Sequence, residues 1–330
     1  QNHQNPLNLL NPIHGMFMEK LLEQLKSYPS PVQEIESETF ASKGLRLLVK
    51  RDDLLHSHVP GNKWRKLKYN LLEARRLGYQ KLLTFGGAYS NHLAAVAAAG
   101  WEFGISTLGV VRGEKCEPLN PTLKFAVQCG MELVFAARAN FRQKNHNAIL
   151  EAIEFDASEF FVLPPGGANC WALKGCAEIM EEVEKQLGGL PDFTCTACGT
   201  GATLAGILAG LKGRKKALGI AVLKGDFMEC EVKNLLESCG ENVPENWQVN
   251  SAYHLGGYAK FDARLIDFIN DFKRSTGISL DPIYTGKLFF ALFDLAEKGF
   301  FEAGSTVLAV HTGGLQGIEG FNERHGNLIT

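Results

Sequence analysis

Apolar runs of four to six residues alternate along this chain with stretches whose apolar positions recur at helical spacing. Runs that short, closed by glycine, threonine or serine, read as strands buried on both faces. Their alternation with helices predicts an α/β fold with parallel strands. Strands are predicted at 45–50, 81–85, 106–111, 131–135, 159–163, 193–197, 219–222 and 306–310, with helices at 64–77, 91–103, 119–129, 171–187 and 204–211 among them. Ligands of such sheets bind beyond the carboxyl ends of strands. That rule directs attention to four strand-to-helix junctions: Thr84 to His92, Leu163 to Gly167, Ala197 to Thr203, and His311 to Gly314. No internal repeat, low-complexity tract or proline-rich linker divides the chain.

Composition narrows the classes. The 330 residues, 45% of them apolar, suffice for two ordinary domains or one large α/β unit. A formal net charge of −2 gives no long-range attraction to nucleic acid. The longest apolar stretches are too short to span a bilayer. Gln1 to Pro6 lacks the basic and apolar regions of a secretory signal, and the first ten residues read as loosely ordered. A cytoplasmic enzyme is therefore expected. The eight cysteines are scattered, and a chain of this size needs no disulfide scaffold. Cys195 and Cys198 form a CxxC with no second CxxC or HxxxH to complete a metal site, so the pair reads as structural. His56 and His58 have no evident third ligand, and no metal is expected.

Two segments carry candidate chemistry. Gly199-Thr200-Gly201-Ala202-Thr203 lets backbone amides approach an anion at the start of a helix. Position 204 is leucine, so GxGxxG fails, and Gly206 is followed by Ile207 rather than lysine, so a nucleotide P-loop fails too. The alternatives left are a short phosphate cradle or a tight turn without ligand. Lys63 follows the turn Gly61-Asn62 at the mouth of a helix, with Arg65, Lys66 and Lys68 nearby. These cations form either a solvated basic face or a setting that lowers the Lys63 pKa and makes its amine nucleophilic. A reactive amine together with a phosphate cradle suggests pyridoxal 5'-phosphate (PLP). Ser90 and Asn91 either cap the helix that follows or bind a substrate carboxylate, with Ser90 also available for proton transfer. Tyr258 and Tyr284, each close to glycine, are surface turn residues or phenols stacked beside a substrate.

The order and spacing of these segments are similar to those of a known family. Lys50-Arg51-Asp52-Asp53, Gly61-Asn62-Lys63-Trp64-Arg65-Lys66-Leu67 and Gly86-Gly87-Ala88-Tyr89-Ser90-Asn91-His92 are followed by the glycine loop, then by Asp281-Pro282-Ile283-Tyr284-Thr285-Gly286-Lys287 and Thr312-Gly313-Gly314. The chain thus resembles the 1-aminocyclopropane-1-carboxylate (ACC) deaminase and D-cysteine desulfhydrase family of PLP enzymes, over roughly residues 30 to 320. The resemblance implies the tryptophan synthase β-like fold: two open, twisted, mostly parallel sheets flanked by helices. A large domain of 1–66 and 171–330 would carry a small one of 67–170, in a homodimer. It also implies roles. Lys63 would anchor PLP and act as base at the substrate α-carbon. Lys66 and the amides of Gly199, Thr200, Gly201, Ala202 and Thr203 would hold the phosphate. Asn91 would bond the phenolic oxygen of PLP, and Thr285 its ring nitrogen. Ser90, Asn91 and His92 would receive the substrate carboxylate, while Tyr258 and Tyr284 would line the substrate side.

The family's ACC deaminases carry glutamate where this chain has Thr285 and leucine where it has Thr312, so both threonines resemble the desulfhydrase branch. A hydroxyl leaves the PLP ring neutral, a weaker electron sink that suits loss of thiolate after α-proton removal. The expected reaction is α,β-elimination of D-cysteine to pyruvate, ammonia and hydrogen sulfide. The rivals are ACC deamination to 2-oxobutanoate and ammonia, another small-amino-acid lyase, and a PLP-binding protein without turnover. Departures from the family pattern at Tyr89, Leu93-Ala94 and His56 to Pro60 surround the presumed carboxylate pocket.

Overall fold

The computed structural model describes residues 23, 29–115, 117–141 and 146–330; the N-terminal stretch read above as loosely ordered lies outside them, as does Cys116. The chain forms two open sheets. The larger has six strands in the order β1 (Val32–Ile35), β2 (Arg46–Lys50), β10 (Thr306–Val310), β7 (Phe193–Cys198), β8 (Lys216–Ala221) and β9 (Trp247–Asn250). Only the β1–β2 pairing is antiparallel. The smaller sheet is wholly parallel, in the order β5 (Glu132–Ala136), β4 (Ser106–Arg112), β3 (Lys81–Gly87) and β6 (Phe160–Leu163).

Each of the eight expected strands is present, with bounds displaced by at most a few residues. The two edge strands of the large sheet, β1 and β9, escaped sequence reading. Both are four residues long and only partly buried, so neither carries the continuous apolar run of a central strand.

Burial explains why the central strands read so clearly. Every residue of β7 is buried, as are four of the five in β10. One face of the large sheet packs on α9 (Ala263–Thr276) and α10 (Thr285–Glu297) through Leu265, Ile269, Phe289 and Leu292. Its other face packs on α6 (Cys170–Leu187), α7 (Ala202–Leu211) and α8 (Met228–Ser238) through Ile179, Ile207 and Val232. The small sheet lies between α3 (Asn91–Phe103) with α4 (Pro121–Gln128) on one side and α5 (His146–Ala152) on the other. Completing the set are a short α1 (Glu38–Ala41), the long α2 (Asn62–Arg76) that leads into the small sheet, and α11 (Gly317–His325) near the C-terminus. No described helix is long and apolar enough to cross a membrane.

The contact between α2 and α6 joins the two layers. A Cβ on Gly175 of α6 would lie 1.8 Å from the Arg65 carbonyl oxygen, so only glycine allows this approach. The side chain of Arg65 is 1% exposed and donates to both carboxylate oxygens of Asp52 and of Glu182. Lys66 and Lys68 are buried as well. The solvated basic face considered above is therefore absent: these cations sit inside the junction.

Cysteine usage brings one correction. Cys170, at the start of α6, is disulfide-bonded to Cys239, which closes α8, although the scattered cysteines pointed to no bridge. The CxxC reading stands. Cys195 and Cys198 are buried and unpaired on β7, and burial pushes the Cys198 thiol up to about 12.

Candidate active site

A cleft of about 760 Å³ opens where the carboxyl ends of β3, β7 and β10 face one another. Its lining includes Lys63, Lys66, Ser90, Asn91, His92, Gly199, Thr200, Gly201, Ala202, Thr203, Tyr258, Tyr284 and Thr312. These residues are remote in sequence: three of the strand-to-helix junctions supply Ser90 to His92, Gly199 to Thr203 and Thr312, the lysines come from the start of α2, and Tyr284 from the start of α10.

Lys63 is positioned by a glycine. Gly61 has φ of 71° and no room for a side chain, because a Cβ would stand 2.1 Å from the Thr312 carbonyl oxygen. The backbone of Gly61-Asn62 thus rests on the loop after β10, with Asn62 N–H donating to that same carbonyl at 3.2 Å. The Lys63 Nζ donates to Asn62 Oδ1 at 2.7 Å, and Asn62 Nδ2 donates to Thr203 Oγ1 at 2.9 Å. One side chain therefore ties the amine to the glycine loop. Burial, and then the nearby Lys66 charge, lower the Lys63 pKa from 10.5 to about 7. An amine with that pKa is largely neutral, and nucleophilic, at physiological pH.

The glycine loop leaves β7 and starts α7, with Gly201 in a left-handed conformation at φ of 78°. Gly199 lets Tyr284 close over the loop, since a Cβ there would lie 3.1 Å from the Tyr284 ring. Lys66 reaches the same region and donates to the Gly166 carbonyl at 3.2 Å. Burial holds its pKa below the ordinary lysine range.

Ser90 plays the role of helix cap in full. Its Oγ accepts from the amides of His92 at 3.2 Å and Leu93 at 3.3 Å, which leaves its hydrogen to donate into the cleft. That arrangement modifies the expectation for His92, whose amide is already taken by Ser90. The His92 ring turns inward, and a Cβ on Gly167 would stand 2.8 Å from it. Both ring nitrogens are buried without a hydrogen-bond partner, and burial together with the Lys63 and Lys66 charges keeps the imidazole neutral. Asn91 reaches the opposite wall, where a Cβ on Gly314 would be 2.9 Å from its Nδ2.

Tyr258 and Tyr284 form an edge-to-face pair with ring centroids 6.1 Å apart. Burial raises both phenols above their ordinary range, so both retain their protons at neutral pH. The loop bearing Tyr258 is fastened by Lys287, a buried lysine whose Nζ donates to the carbonyls of His254 and Gly257 at 2.8 Å each. The sequence reading gave Lys287 no role. Its one signal is a cation among apolar residues, three positions after Tyr284 in α10.

Thr285 is placed differently from expectation. It is fully buried and does not line the cleft. Its hydroxyl donates to Asp281 Oδ1 at 2.7 Å and accepts from Asp281 N–H at 2.8 Å. With its only hydrogen given to a carboxylate, Thr285 has none to offer a neutral ring nitrogen. The Asp281 carboxylate also accepts from the backbone N–H groups of Ile283, Tyr284 and Thr285, and so fixes the start of α10.

The residues present fit PLP. A neutral amine stands beside a helix-terminal glycine loop suited to a phosphate, and the unpartnered imidazole nitrogens of His92 mark polar atoms left for a bound group. Comparison with known proteins agrees. Residues 25–313 match the family described as pyridoxal-phosphate dependent enzyme. A putative ACC deaminase of Pyrococcus horikoshii is 32% identical over 290 residues, covering 85% of this chain and 88% of the relative. The mitochondrial bifunctional D-cysteine desulfhydrase/ACC deaminase of Arabidopsis thaliana is 30% identical over 296 residues, covering 83% of this chain and 74% of its own length. The crystal structure of an ACC deaminase homologue superposes with a TM-score of 0.81 at 30% identity, covering 97% of this chain and all of that one. With this lysine, this loop and these relatives, the chain belongs to the pyridoxal-phosphate dependent enzymes, within the group of ACC deaminases and D-cysteine desulfhydrases.

Proposed function

We propose that this protein catalyses α,β-elimination of a small amino acid, with D-cysteine giving pyruvate, ammonia and hydrogen sulfide. The observation that carries this reading is Lys63: an amine near neutrality at pH 7, held by Asn62 against the glycine loop and facing the Ser90 hydroxyl across one cleft. PLP, when bound, supplies the carbonyl that takes up the substrate amine and the ring that disperses the electron pair left at the α-carbon. Lys63 and Lys66 with Gly199 to Thr203 hold it, and Asn91 orients it. Ser90 donates its free hydrogen to the substrate carboxylate. Lys63 removes the α-proton. Tyr258 and Tyr284, both protonated, provide the proton that the departing sulfur takes up.

Preference for a thiolate over a cyclopropane rests on the residues of the cleft. Thr312 lines it, and among the described residues no aspartate or glutamate does. The test is direct. Purified holoenzyme given D-cysteine should release sulfide and pyruvate in equal amounts, while L-cysteine and ACC should give little. 2-Oxobutanoate from ACC with no sulfide from D-cysteine would select ACC deamination, the reading favoured by the names of the Pyrococcus relatives.

The same reading includes a small domain of 67–170 closing on a large one of 1–66 and 171–330 to exclude water. Contraction in small-angle scattering on substrate addition tests it. It also includes a homodimer, tested by light scattering, and cytoplasmic residence, tested by fractionation.

A further inference from the structure

The cleft carries more positive charge than a neutral side chain requires. Its lining holds two lysines, three arginines and no aspartate or glutamate, in a chain whose formal net charge is −2. In the reading above, Lys63 and Lys66 serve the cofactor, and Ser90 with Asn91 serves the substrate carboxylate. Arg112, Arg138 and Arg324 are left over.

They converge from three separate elements. Arg112 ends β4, Arg138 opens the short turn after β5, and Arg324 lies in the last turn of α11. All three are solvent-accessible at the cleft, and none has an ion pair or side-chain hydrogen bond among the described residues. Arg112 lies over the loop that leads to Ser90, since a Cβ on Gly87 would meet its Nη2 at 3.6 Å. Arg138 is its neighbour, its Nε 3.6 Å from a Cβ on Gly113. Arg112 is also near enough to Tyr258 for its charge to act on that phenol. Arg112 therefore borders the loop of the substrate carboxylate site and the tyrosine pair, where a β-substituent would project, with Arg138 beside it and Arg324 on the same cleft lining. Planar guanidinium forks match the oxygens of a sulfonate or phosphate in pairs.

We propose that Arg112, Arg138 and Arg324 form a side-chain subsite that extends the substrates beyond D-cysteine to amino acids whose β-substituent is an oxyanion. This rests on the elimination reading given above. In the reaction the α-proton leaves to Lys63 and the bond from Cβ to the substituent breaks. The substituent departs with the electron pair as sulfite or phosphate. The three-carbon enamine takes up water to give pyruvate and ammonia, and no oxidant or reductant is needed.

The test uses PLP-loaded Lys63→Ala protein, which binds without turnover, titrated calorimetrically with cysteate, O-phosphoserine and alanine, each as both enantiomers. Cysteate or phosphoserine should bind at least tenfold tighter than alanine. In the Arg112→Ala/Arg138→Ala protein that ratio should fall to near one, with Arg324→Ala giving an intermediate value. The larger ratio identifies sulfonate or phosphate as the preferred group. A ratio near one before substitution overturns the subsite. So does an equal loss for all three probes, which means the arginines only steer anions toward the cleft. Wild-type holoenzyme assayed in parallel separates the two readings. If binding depends on the arginines but neither cysteate, phosphoserine nor D-cysteine yields pyruvate, the subsite stands and elimination falls.

Discussion

Lys63→Met in the PLP-free protein isolates what burial does to the amine proposed as the anchor. The folded pKa is about 7 against 10.5 unfolded, a depressed lysine. Below pH 7 both states bind the proton and the fold carries the whole penalty for burying it. Between pH 7 and 10.5 only the unfolded chain binds it, so stability rises with pH at ~1.4 kcal/mol per unit. Above 10.5 the penalty is gone. The methionine variant has no such penalty at any pH, so its advantage over wild type should be greatest in acid and should fade toward alkali. Across pH 6.5 to 9 the difference between the two proteins should shrink by about 2.5 kcal/mol for a dry site, and by at least about 1 kcal/mol once water in the open cleft screens the charge.

Loss of the Lys63–Asn62 hydrogen bond costs the variant about 1 kcal/mol at every pH, an offset without slope. Urea unfolding of both proteins at pH 6.5, 7.5 and 9, at one ionic strength, reads the slope directly. A difference that stays flat within about 0.5 kcal/mol would refute the buried, low-pKa amine. With it would go the reason for proposing this lysine, among 34 lysines and arginines, as the one that reacts with an aldehyde at neutral pH.

Three further outcomes follow from the geometry. Lys287→Met leaves the His254 and Gly257 carbonyls without their buried donor, so stability should drop by about 2 kcal/mol and kcat at least tenfold as the Tyr258 loop loosens; unchanged kcat would separate that loop from catalysis. Gly175→Ala drives a methyl group into the Arg65 carbonyl, and the urea midpoint should fall by the equivalent of at least about 3 kcal/mol; a loss under about 1 kcal/mol would mean α2 and α6 separate freely. Cys239→Ser opens a bridge spanning 69 residues and should cost up to about 4 kcal/mol by the chain-entropy account; if dithiothreitol shifts the wild-type midpoint by nothing, the two thiols are not bridged.

The layers of this fold were legible because parallel strands covered by helices read as short apolar runs, and eight such runs stand out along the chain. The edges of the large sheet were not legible, because β1 and β9 break their apolar residues with Gln, Glu and Asn, whereas the small sheet's edges, β5 and β6, keep apolar runs and were found. The site was legible in its backbone-determined parts. Gly61, Gly199 and Gly201 announce close approach, and Ser90 announces a cap. Side-chain orientation was not legible. Asp281 is only four residues before Thr285, yet the rotamer that joins them is open in the sequence, and nothing local predicts that His92 lies within reach of the Lys63 and Lys66 charges or that Arg65 is neutralised by Asp52 and Glu182. Each depends on a partner far away in the chain or on a rotamer that packing selects.

The placement of Thr285 has a consequence for chemistry. A threonine free to donate suits a neutral ring nitrogen, and the sequence reading attached the choice of substrate to that property. In the structure Asp281 holds the hydrogen and its backbone N–H takes one lone pair, which leaves the Thr285 oxygen a single lone pair. That one can accept and cannot donate to a neutral ring. Choice among substrates therefore passes from the ring nitrogen to the groups around the β-carbon: the tyrosine pair, Ser90 and the arginines at the mouth. If that is right, Thr285→Val should change pyruvate formation by the same factor for D-cysteine and for an oxyanion substrate, whereas Arg112→Ala should alter their ratio. A Thr285→Val protein that shifts the ratio as strongly as Arg112→Ala would return the choice to the ring.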